Sequence, residues 1–119
     1  MEYMDYEKYR DFLKQVDVER NCPIQKLIGT LAKKWNLRVI FELTKKDTVR
    51  FGVLKAQIGE ITSTSLSSTL KELEEHGFVE RVQFNEIPPR VEYSLTEKGK
   101  MLYPVFLAMG NWCQEYERG

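Results

Sequence analysis

The sequence predicts a mainly α-helical fold with one small β-hairpin. Two patterns support this prediction. Through most of the chain apolar residues recur every three or four positions, as on one face of a helix, whereas after Gly77 they recur at every second position, as in strands. The chain has 119 residues, 42% of them hydrophobic and 30% charged, which is the size and composition of one folded domain.

Three helices are predicted before residue 49. The first covers about residues 5–19, where the apolar stripe consists of Tyr6, Tyr9, Leu13 and Val16. Pro23 opens the second helix because proline is favoured at the first helical position. The expected buried face of this helix is Ile24, Leu27, Ile28 and Leu31. In the third helix, after residues 33–36, the inward residues are Val39, Ile40 and Leu43.

The next segment has the spacing of a helix-turn-helix motif. Residues 49–51 form a short β-type run that ends at Gly52, and a short helix and a turn at residues 59–60 follow. A second helix then runs to about His76, with Gly77 as its expected stop. The inward residues are Val53, Leu54 and Ile58 in the first helix and Leu66, Leu70 and Leu73 in the second, whose N-cap candidates are Thr62, Ser63 and Thr64.

A β-hairpin follows the motif. Its strands are expected over about residues 78–84 and 91–95, joined by a loop that Pro88 and Pro89 stiffen. A helix-turn-helix followed directly by a hairpin is a winged helix, so the predicted fold class is a winged helix-turn-helix with extra N- and C-terminal helices. The last helix starts at Thr96, and Pro104 should either kink it or begin a new first turn.

The second helix of the motif carries residues that could read DNA. A major groove about 12 Å wide admits one α-helix, and short hydroxyl side chains opposite the leucines would let this helix lie deep in the groove. The hairpin tip could add Arg90, and Arg50 could bind a phosphate. The predicted DNA-binding residues are Arg50, Ser63, Thr64, Ser65, Ser67, Ser68, Lys71 and Arg90.

Each of these residues also has a structural explanation. The serines and threonines could be a solvated surface with capping duties. Arg90 could pair with Glu86 or Glu92, and Arg50 could pair with Asp47. The hairpin beside the helix favours DNA contact for the hydroxyl face, while both explanations of Arg90 stay open.

The chain resembles the HxlR-type branch of the MarR-like winged-helix regulators from residue 22 to about residue 116. The most specific segment is Pro88-Pro89-Arg90-Val91-Glu92-Tyr93-Ser94-Leu95-Thr96. The other segments are Cys22-Pro23, Lys34-Trp35, Arg50-Phe51-Gly52-Val53-Leu54, Leu70-Lys71-Glu72-Leu73-Glu74, Gly77-Phe78-Val79-Glu80-Arg81, Gly99 and Leu102-Tyr103-Pro104-Val105. The resemblance implies a homodimeric bacterial or archaeal transcriptional regulator. Its partner would be a near-palindromic double-stranded DNA operator, with one recognition helix and one wing on each half-site.

The sequence departs from the family pattern at two places in the motif. Members often carry proline and a basic residue early in the recognition helix, where this chain has Ser63 and Thr64. A helix-capping serine frequently follows the Arg-Phe pair, where this chain has Gly52. The operator sequence therefore cannot be carried over from relatives.

The terminal helices are the expected dimerisation elements. Within a single domain over residues 1–119, residues 1–21 are the N-terminal dimerisation helix, residues 22–95 the winged core and residues 96–119 the C-terminal dimerisation helix. A monomeric winged helix does not need the apolar stripe of the last helix, and packing across a two-fold axis would bury it. The alternative is an intramolecular clasp of the first helix on the last. The expected interface residues are Tyr6, Tyr9, Leu13, Val105, Phe106, Met109, Trp112 and Tyr116.

Cys22 is a candidate thiol sensor. It precedes Pro23 at a helix start, where unpaired N–H groups and the helix dipole favour a thiolate. Some members of the family that the chain resembles use a cysteine at this position to sense oxidants or electrophiles. The alternative is a small buried residue that caps the helix. Cys113 is expected in the core. His76 is expected at the C-terminal end of its helix, as a partner of the helix dipole.

Catalysis has little support in the sequence. No nucleophile–base pair, paired-cysteine metal motif or glycine-rich phosphate loop stands out. The expectation is therefore a protein without enzymatic activity, catalytic residues, metal or cofactor.

The net charge of zero hides one basic block. Residues 22–60 hold eight basic and three acidic residues, net +5, whereas residues 61–95 hold three basic and six acidic residues, net −3. A neutral chain is not a non-specific polyanion binder, but a dimer could direct two basic blocks at one duplex. A winged-helix protein-interaction module without DNA binding is the alternative function.

Location and further partners are expected from what the sequence lacks. No apolar run approaches the roughly 20 residues of a membrane helix, and no secretory signal is visible at the start. Two cysteines are too few for a disulfide framework. The expected location is the cytoplasm, with no membrane partner and with an unknown small-molecule effector.

Overall fold

The computed structural model describes residues 5–15 and 23–117. The chain divides into two compact units, residues 1–33 and residues 34–119. The first unit contains α1 (Tyr6–Gln15) and α2 (Pro23–Leu31). The second unit contains α3 (Asn36–Leu43), β1 (Val49–Arg50), α4 (Phe51–Ile58), α5 (Ser63–Glu75), β2 (Val79–Phe84), β3 (Arg90–Leu95), α6 (Glu97–Lys100) and α7 (Tyr103–Tyr116).

Both helices of the first unit begin where the sequence predicts. Asp5 precedes α1, and its Oδ1 accepts a hydrogen bond from the Lys8 backbone N–H at 2.8 Å, which is a typical N-cap arrangement. Pro23 opens α2. The expected continuation of the first helix to residue 19, with Val16 in its stripe, lies outside the described residues.

The expected buried face of α2 is wrong in part. Leu31 is buried and Leu27 is half-buried, but Ile24 and Ile28 are exposed within the single chain. The expectation assumed that the α2 stripe is covered within the single chain, whereas two of its four residues are exposed there.

The second unit has the predicted helix-turn-helix and wing, and the predicted β-type run joins the hairpin as a third strand. α4, residues 59–62 and α5 form the motif, and β2 and β3 form the hairpin. β1 pairs antiparallel with β3, with Val49 opposite Tyr93, so the strand order is β1-β3-β2. Phe51, expected in the β-type run, instead begins α4. The chain leaves the strand at Arg50, whose extended backbone is the usual N-cap conformation.

The core of the second unit lies where α3, α4 and α5 meet the sheet. The residues expected inside α3 and α5 are buried, namely Val39, Ile40, Leu43, Leu66, Leu70 and Leu73. In α4, Leu54 and Ile58 are buried as expected, but Val53 is 43% exposed. The two buried residues are four positions apart on one helix face, and Val53 lies about 100° around the helix from Leu54.

α5 ends as the sequence predicts. Gly77 has a φ of 81°, the left-handed conformation that glycine adopts without strain. Its N–H donates to the Glu74 carbonyl at 3.0 Å, and the Phe78 N–H donates to the Leu73 carbonyl at 2.9 Å. These two bonds form a Schellman motif, which satisfies the last carbonyls of the helix and turns the chain into β2.

The single last helix expected from Thr96 is two helices. α6 is a short helix with Thr96 as its N-cap, and Pro104 lies in the first turn of α7, one of the two arrangements that the sequence allowed. No residue of α7 is buried within the single chain. For that reason Cys113 is exposed, and its expected place in the core is wrong. No helix in the described ranges 5–15 and 23–117 is long and apolar enough to cross a bilayer.

A buried carboxylate links α3 to the helix-turn-helix. Glu42 is only 2% exposed. Its Oε2 accepts a hydrogen bond from Arg38 Nε at 2.9 Å, and its Oε1 accepts one from Lys45 Nζ at 2.8 Å. Arg38 also donates to the backbone carbonyl of Gln57 in α4 at 3.4 Å. Burial alone would raise the pKa of Glu42, but the hydrogen bonds and charges of Lys45 and Arg38 outweigh burial and lower the pKa below its ordinary value.

We expect the Glu42→Gln variant to be less stable than the parent by about 1–2 kcal/mol at neutral pH. This is below the usual cost of breaking a buried pair because Arg38 and Lys45 are half exposed. Because the pKa is lowered, the ionised carboxylate stabilises the fold at pH values above its ordinary pKa of 4.5. This contribution disappears as the pH falls through the folded-state pKa. Urea unfolding of both chains between about pH 7 and about pH 3 measures the difference. A difference that stays constant with pH would contradict the assignment.

Candidate nucleic-acid interface

The outer face of α5 carries small hydroxyl groups. Thr62 is the N-cap, and its side chain accepts a hydrogen bond from the Ser65 N–H at 3.0 Å. The capping role is therefore taken by the residue before the helix, and Ser65 is half-buried beside it. The other predicted residues of this face are exposed, namely Ser63, Thr64, Ser67, Ser68 and Lys71. The face opposite the buried leucines thus has the low relief that entry into a groove requires.

An open cavity of about 250 Å³ lies between the outer part of α5 and the sheet. Ser67, Lys71 and Glu74 line it from the helix, and Arg81 and Tyr93 line it from β2 and β3. Lys71 and Arg81 are both exposed, so two cationic side chains border the cavity against the one carboxylate of Glu74. This arrangement can hold a backbone phosphate between the recognition helix and the wing.

Arg81 is the functional candidate that sequence reasoning missed. It lies directly opposite Tyr93 in the β2–β3 ladder, and its guanidinium donates to Gln83 Oε1 at 3.3 Å. A signal was present, because strand alternation places Arg81 on the same face as Val79, which is buried. That face of β2 packs toward α5. Arg81 is the next residue on the same face after Val79, so it could have been expected to lie beside the recognition helix.

Arg90 lies at the tip end of the wing, as expected, directly after the loop that joins its two strands. It is the first residue of β3, opposite Phe84, and its guanidinium carbon is 4.1 Å from the Phe84 ring centroid. Its Nη2 is 3.3 Å from Glu86 Oε1, and its Nε is 3.5 Å from Glu92 Oε1. The second contact is a charge contact without hydrogen-bond geometry. Both ion pairs that the sequence offered as the alternative to DNA contact are therefore present. In the loop beside Arg90, Ile87 is fully exposed.

Arg50 is the opposite case. It is exposed at the N-cap of α4 and lies opposite Glu92 in the β1–β3 ladder. Across the described parts of the chain, no carboxylate lies within 4.0 Å of its guanidinium, so the suggested pairing with Asp47 is not formed. Arg50 is therefore available to bind a phosphate at the start of the motif.

The remaining candidates from the sequence are placed only in part. His76 is the C-cap of α5, as expected, with its Nε2 3.8 Å from Glu72 Oε1. Cys22 lies outside the described residues. Within the described ranges no group of three or more His, Cys, Asp or Glu side chains could hold a metal ion.

Comparisons with known proteins give one consistent result. A family model described as HxlR-like helix-turn-helix matches residues 30–119. An uncharacterised HTH-type transcriptional regulator of Halalkalibacterium halodurans is 37% identical over 109 residues, which cover 92% of this chain and 94% of the relative. A MarR-family transcriptional regulator from Porphyromonas gingivalis W83 is structurally similar with a TM-score of 0.76 and 35% identity, over 82% of this chain and 94% of that one.

A redox regulator is also among the similar structures. The oxidised form of HypR has a TM-score of 0.73 and 32% identity, over 82% of this chain and 100% of that one. The named relatives are regulators of transcription or redox regulators, and the two solved structures are similar in fold to this chain. The family model and these relatives show that the chain belongs to the HxlR-like helix-turn-helix family of transcriptional regulators, as the sequence resemblance implied.

Proposed function

We propose that this chain is a homodimeric, sequence-specific DNA-binding regulator without catalytic activity, which acts in the cytoplasm on a near-palindromic operator. The observation that carries the proposal is the outer face of α5, where exposed hydroxyl groups lie opposite a buried leucine face and beside the cationic cavity of Lys71 and Arg81. In this reading α5 enters the major groove, and Ser67 and Lys71 reach base edges or phosphates.

The basic residues predicted from the sequence, together with Arg81, take unequal roles in this proposal. Arg50, Lys71 and Arg81 are the cations available for phosphates, because none of them has a carboxylate within 4.0 Å among the described residues. Arg90 would first have to leave Glu86, so its main contribution is to hold the wing in shape. We retain Arg90 as a weak contact whose loss should cost less than the loss of Lys71.

We expect Lys71→Ala to weaken operator binding by about tenfold and Arg90→Ala to weaken it less. Removal of one phosphate contact should also lower the slope of log affinity against log salt by about one. Fluorescence anisotropy with a labelled fragment of the DNA upstream of the gene, at several salt concentrations, measures both quantities. Lys14→Ala, an exposed lysine of α1, is the matched control.

Two outcomes would contradict this assignment. An equal loss in Lys71→Ala and Lys14→Ala would mean that α5 is not the reading element. The absence of any sequence-preferring complex at low salt would favour the protein-interaction module instead.

The proposed dimer has support from exposed apolar surface in each unit. α1 exposes Tyr6 and Tyr9, while Leu13 is half-buried. α7 exposes Val105, Met109, Trp112 and Tyr116, while Phe106 is half-buried. A second copy of the chain would remove these surfaces from water, and two-fold symmetry would match a near-palindromic site.

We also propose that Cys22 senses oxidants. The support is its position before Pro23 and the similarity of the chain to the redox regulator HypR. We expect a quinone or hydrogen peroxide to release the parent chain from its operator and to leave Cys22→Ser bound. Cys113→Ser, which removes the exposed cysteine of α7, is the control. Release of Cys22→Ser by the same oxidant would contradict the proposal.

A further inference from the structure

The hydroxyl side chains of α5 differ in what surrounds them. Among the residues that the structure describes, Ser67 is the only serine or threonine of α5 that lines the cavity of about 250 Å³ beside the sheet. Ser67 is exposed, and within the described ranges its Oγ makes no hydrogen bond. By contrast, Ser65 is half-buried with its N–H bonded to the Thr62 cap, and Thr69 is buried. Ser67 is therefore an accessible hydroxyl at the edge of a charged cavity.

The charged residues around Ser67 are two cations and one carboxylate. Lys71 follows Ser67 by four positions, so the two side chains are neighbours on one helix face. Arg81 lines the cavity from β2, and Glu74 supplies the carboxylate. Among the described residues neither Lys71 nor Arg81 has a carboxylate within 4.0 Å. The lining thus has a net charge of +1 and two cationic groups that can bind an anion.

We propose that Ser67 is a phosphorylation site, that Lys71 and Arg81 bind the phosphate attached there, and that this phosphate switches DNA binding off. A protein serine kinase would transfer the γ-phosphoryl group of a nucleoside triphosphate. The bond from Ser67 Oγ to the γ-phosphorus forms while the bond from that phosphorus to the β–γ bridging oxygen breaks. The hydroxyl proton passes to solvent, and the nucleoside diphosphate leaves.

The attached phosphate would occupy the place proposed above for a phosphate of the DNA backbone. A phosphoserine carries a charge of about −1.5 to −2 at neutral pH and three acceptor oxygens, so the net charge of the lining would change from +1 to about −1. On a helix, an anion four residues before a lysine is the favourable orientation of an ion pair. The guanidinium of Arg81 can bind two phosphate oxygens at once. Both cations would then be occupied, and the new charge would repel the DNA backbone.

The two halves of the proposal have different foundations. Binding of the attached phosphate by Lys71 and Arg81 depends only on the cavity and its charges. The switch rests on the DNA-binding function proposed above. The experiments therefore measure the modification, the phosphate contact and the DNA affinity separately.

The modification is tested on the full chain purified from the cells that encode it, in exponential and in stationary phase. Mass spectrometry of the phosphopeptides locates the group, since fragmentation distinguishes Ser67 from Ser68. We expect phosphate on Ser67 in at least one phase. Phosphate confined to other residues, or absent in both phases, would overturn the assignment of the site.

The phosphate contact is tested by phosphorus NMR on full chains that carry phosphoserine at position 67, introduced during translation. The second pKa of a phosphoserine is ordinarily about 6, and nearby cations lower it because they favour the dianion. We expect this pKa to be lower by about 0.5 in the parent than in the double variant Lys71→Gln/Arg81→Gln, while Lys14→Gln, outside the cavity lining, titrates as the parent does.

The double variant is expected to fold, because Lys71 and Arg81 are both exposed and outside the core, and circular dichroism checks this. A folded double variant whose phosphate titrates as in the parent would show that neither cation binds the phosphate. That result would overturn the proposed contact, whatever the DNA affinity.

The switch is measured by fluorescence anisotropy with labelled DNA from upstream of the gene. We expect phosphorylation of Ser67 to weaken operator binding by about 100-fold or more, because two phosphate contacts are lost at about tenfold each, and we expect a phosphatase to restore binding. Equal affinity of the phosphorylated and unmodified chains would overturn the switch. If the unmodified chain bound no operator, the DNA-binding function would fail instead, while mass spectrometry and the NMR titration would still test the modification.

Discussion

Trp112→Glu is expected to convert the chain into a monomer and to weaken operator binding by about 100-fold or more. Trp112 is 55% exposed in the single chain and lies 5.4 Å, centroid to centroid, from the Tyr116 ring on the same helix. A charge buried in an apolar interface without a partner opposes association. The DNA effect is large because a dimer binds its second half-site as an intramolecular event, which raises affinity by a factor of about 10²–10⁴.

The monomer itself should remain folded. No residue of α7 is buried within the single chain, so a substitution on its exposed stripe removes little packing from the core. Sedimentation velocity and operator titration, performed on the same preparation, separate assembly from DNA affinity. Gln114→Glu adds the same charge to α7 outside the apolar stripe and is expected to remain dimeric.

If the Trp112→Glu chain remained dimeric, the dimer interface would not lie on the apolar stripe of α7. A monomeric Trp112→Glu chain with unchanged operator affinity would show that the parent dimerises through α7 but that DNA binding does not require the dimer. The intramolecular clasp considered from the sequence predicts a third result, in which the parent chain is already monomeric.

Gly99→Ala is expected to destabilise the fold by about 2–4 kcal/mol. A Cβ at this position would overlap the Phe78 carbonyl oxygen and approach Leu95 Cδ2 at 3.1 Å. The Phe78 carbonyl cannot move aside without cost, because it accepts a hydrogen bond from the Thr96 N–H at 3.1 Å. Gly99 is therefore required for the close contact of α6 with the start of β2.

Gly52→Ala is the matched control for this effect. Gly52 lies in the first turn of α4, and apart from its chain neighbours and its own helix backbone no atom lies within 4 Å of a Cβ built there. Alanine has the higher helix propensity, so Gly52→Ala should leave stability unchanged or raise it by up to about 1 kcal/mol. Urea unfolding of both variants gives the comparison, and a Gly99→Ala chain as stable as the parent would show that α6 can shift without cost.

Local sequence was sufficient for the order of the elements from α1 to the wing and for the ends of α5. Thr62 and Gly77 bound this helix in the structure as their residue types predicted, because a cap and a left-handed glycine act within a few residues. The strand period likewise located the wing, and the leucine spacing located the inner face of the recognition helix. These features depend only on neighbours along the chain.

The pairing of β1 and the exposure of Cys113 could not be predicted from local sequence. β1 has two residues, too few for a period, and it is defined only by its pairing with β3. The α7 stripe reads like that of a core helix, so Cys113 was assigned to the core, whereas in the single chain the stripe faces solvent. Periodicity shows that a face is apolar but not which surface covers it.

The residues of the candidate site also fall into those that local sequence predicted and those that depend on tertiary structure. The residues of α5 were predicted from helical spacing alone, and their exposure follows from the buried leucines opposite. The states of the arginines depend on the assembled sheet. Arg90 is held by Glu86 and Glu92, and Arg50 has no such partner among the described residues. Arg81 lines the same cavity as the recognition helix. Local pattern defines helices, caps and strand alternation because these interactions span a few residues, whereas the availability of a cation depends on strand register and on distances between elements far apart in sequence.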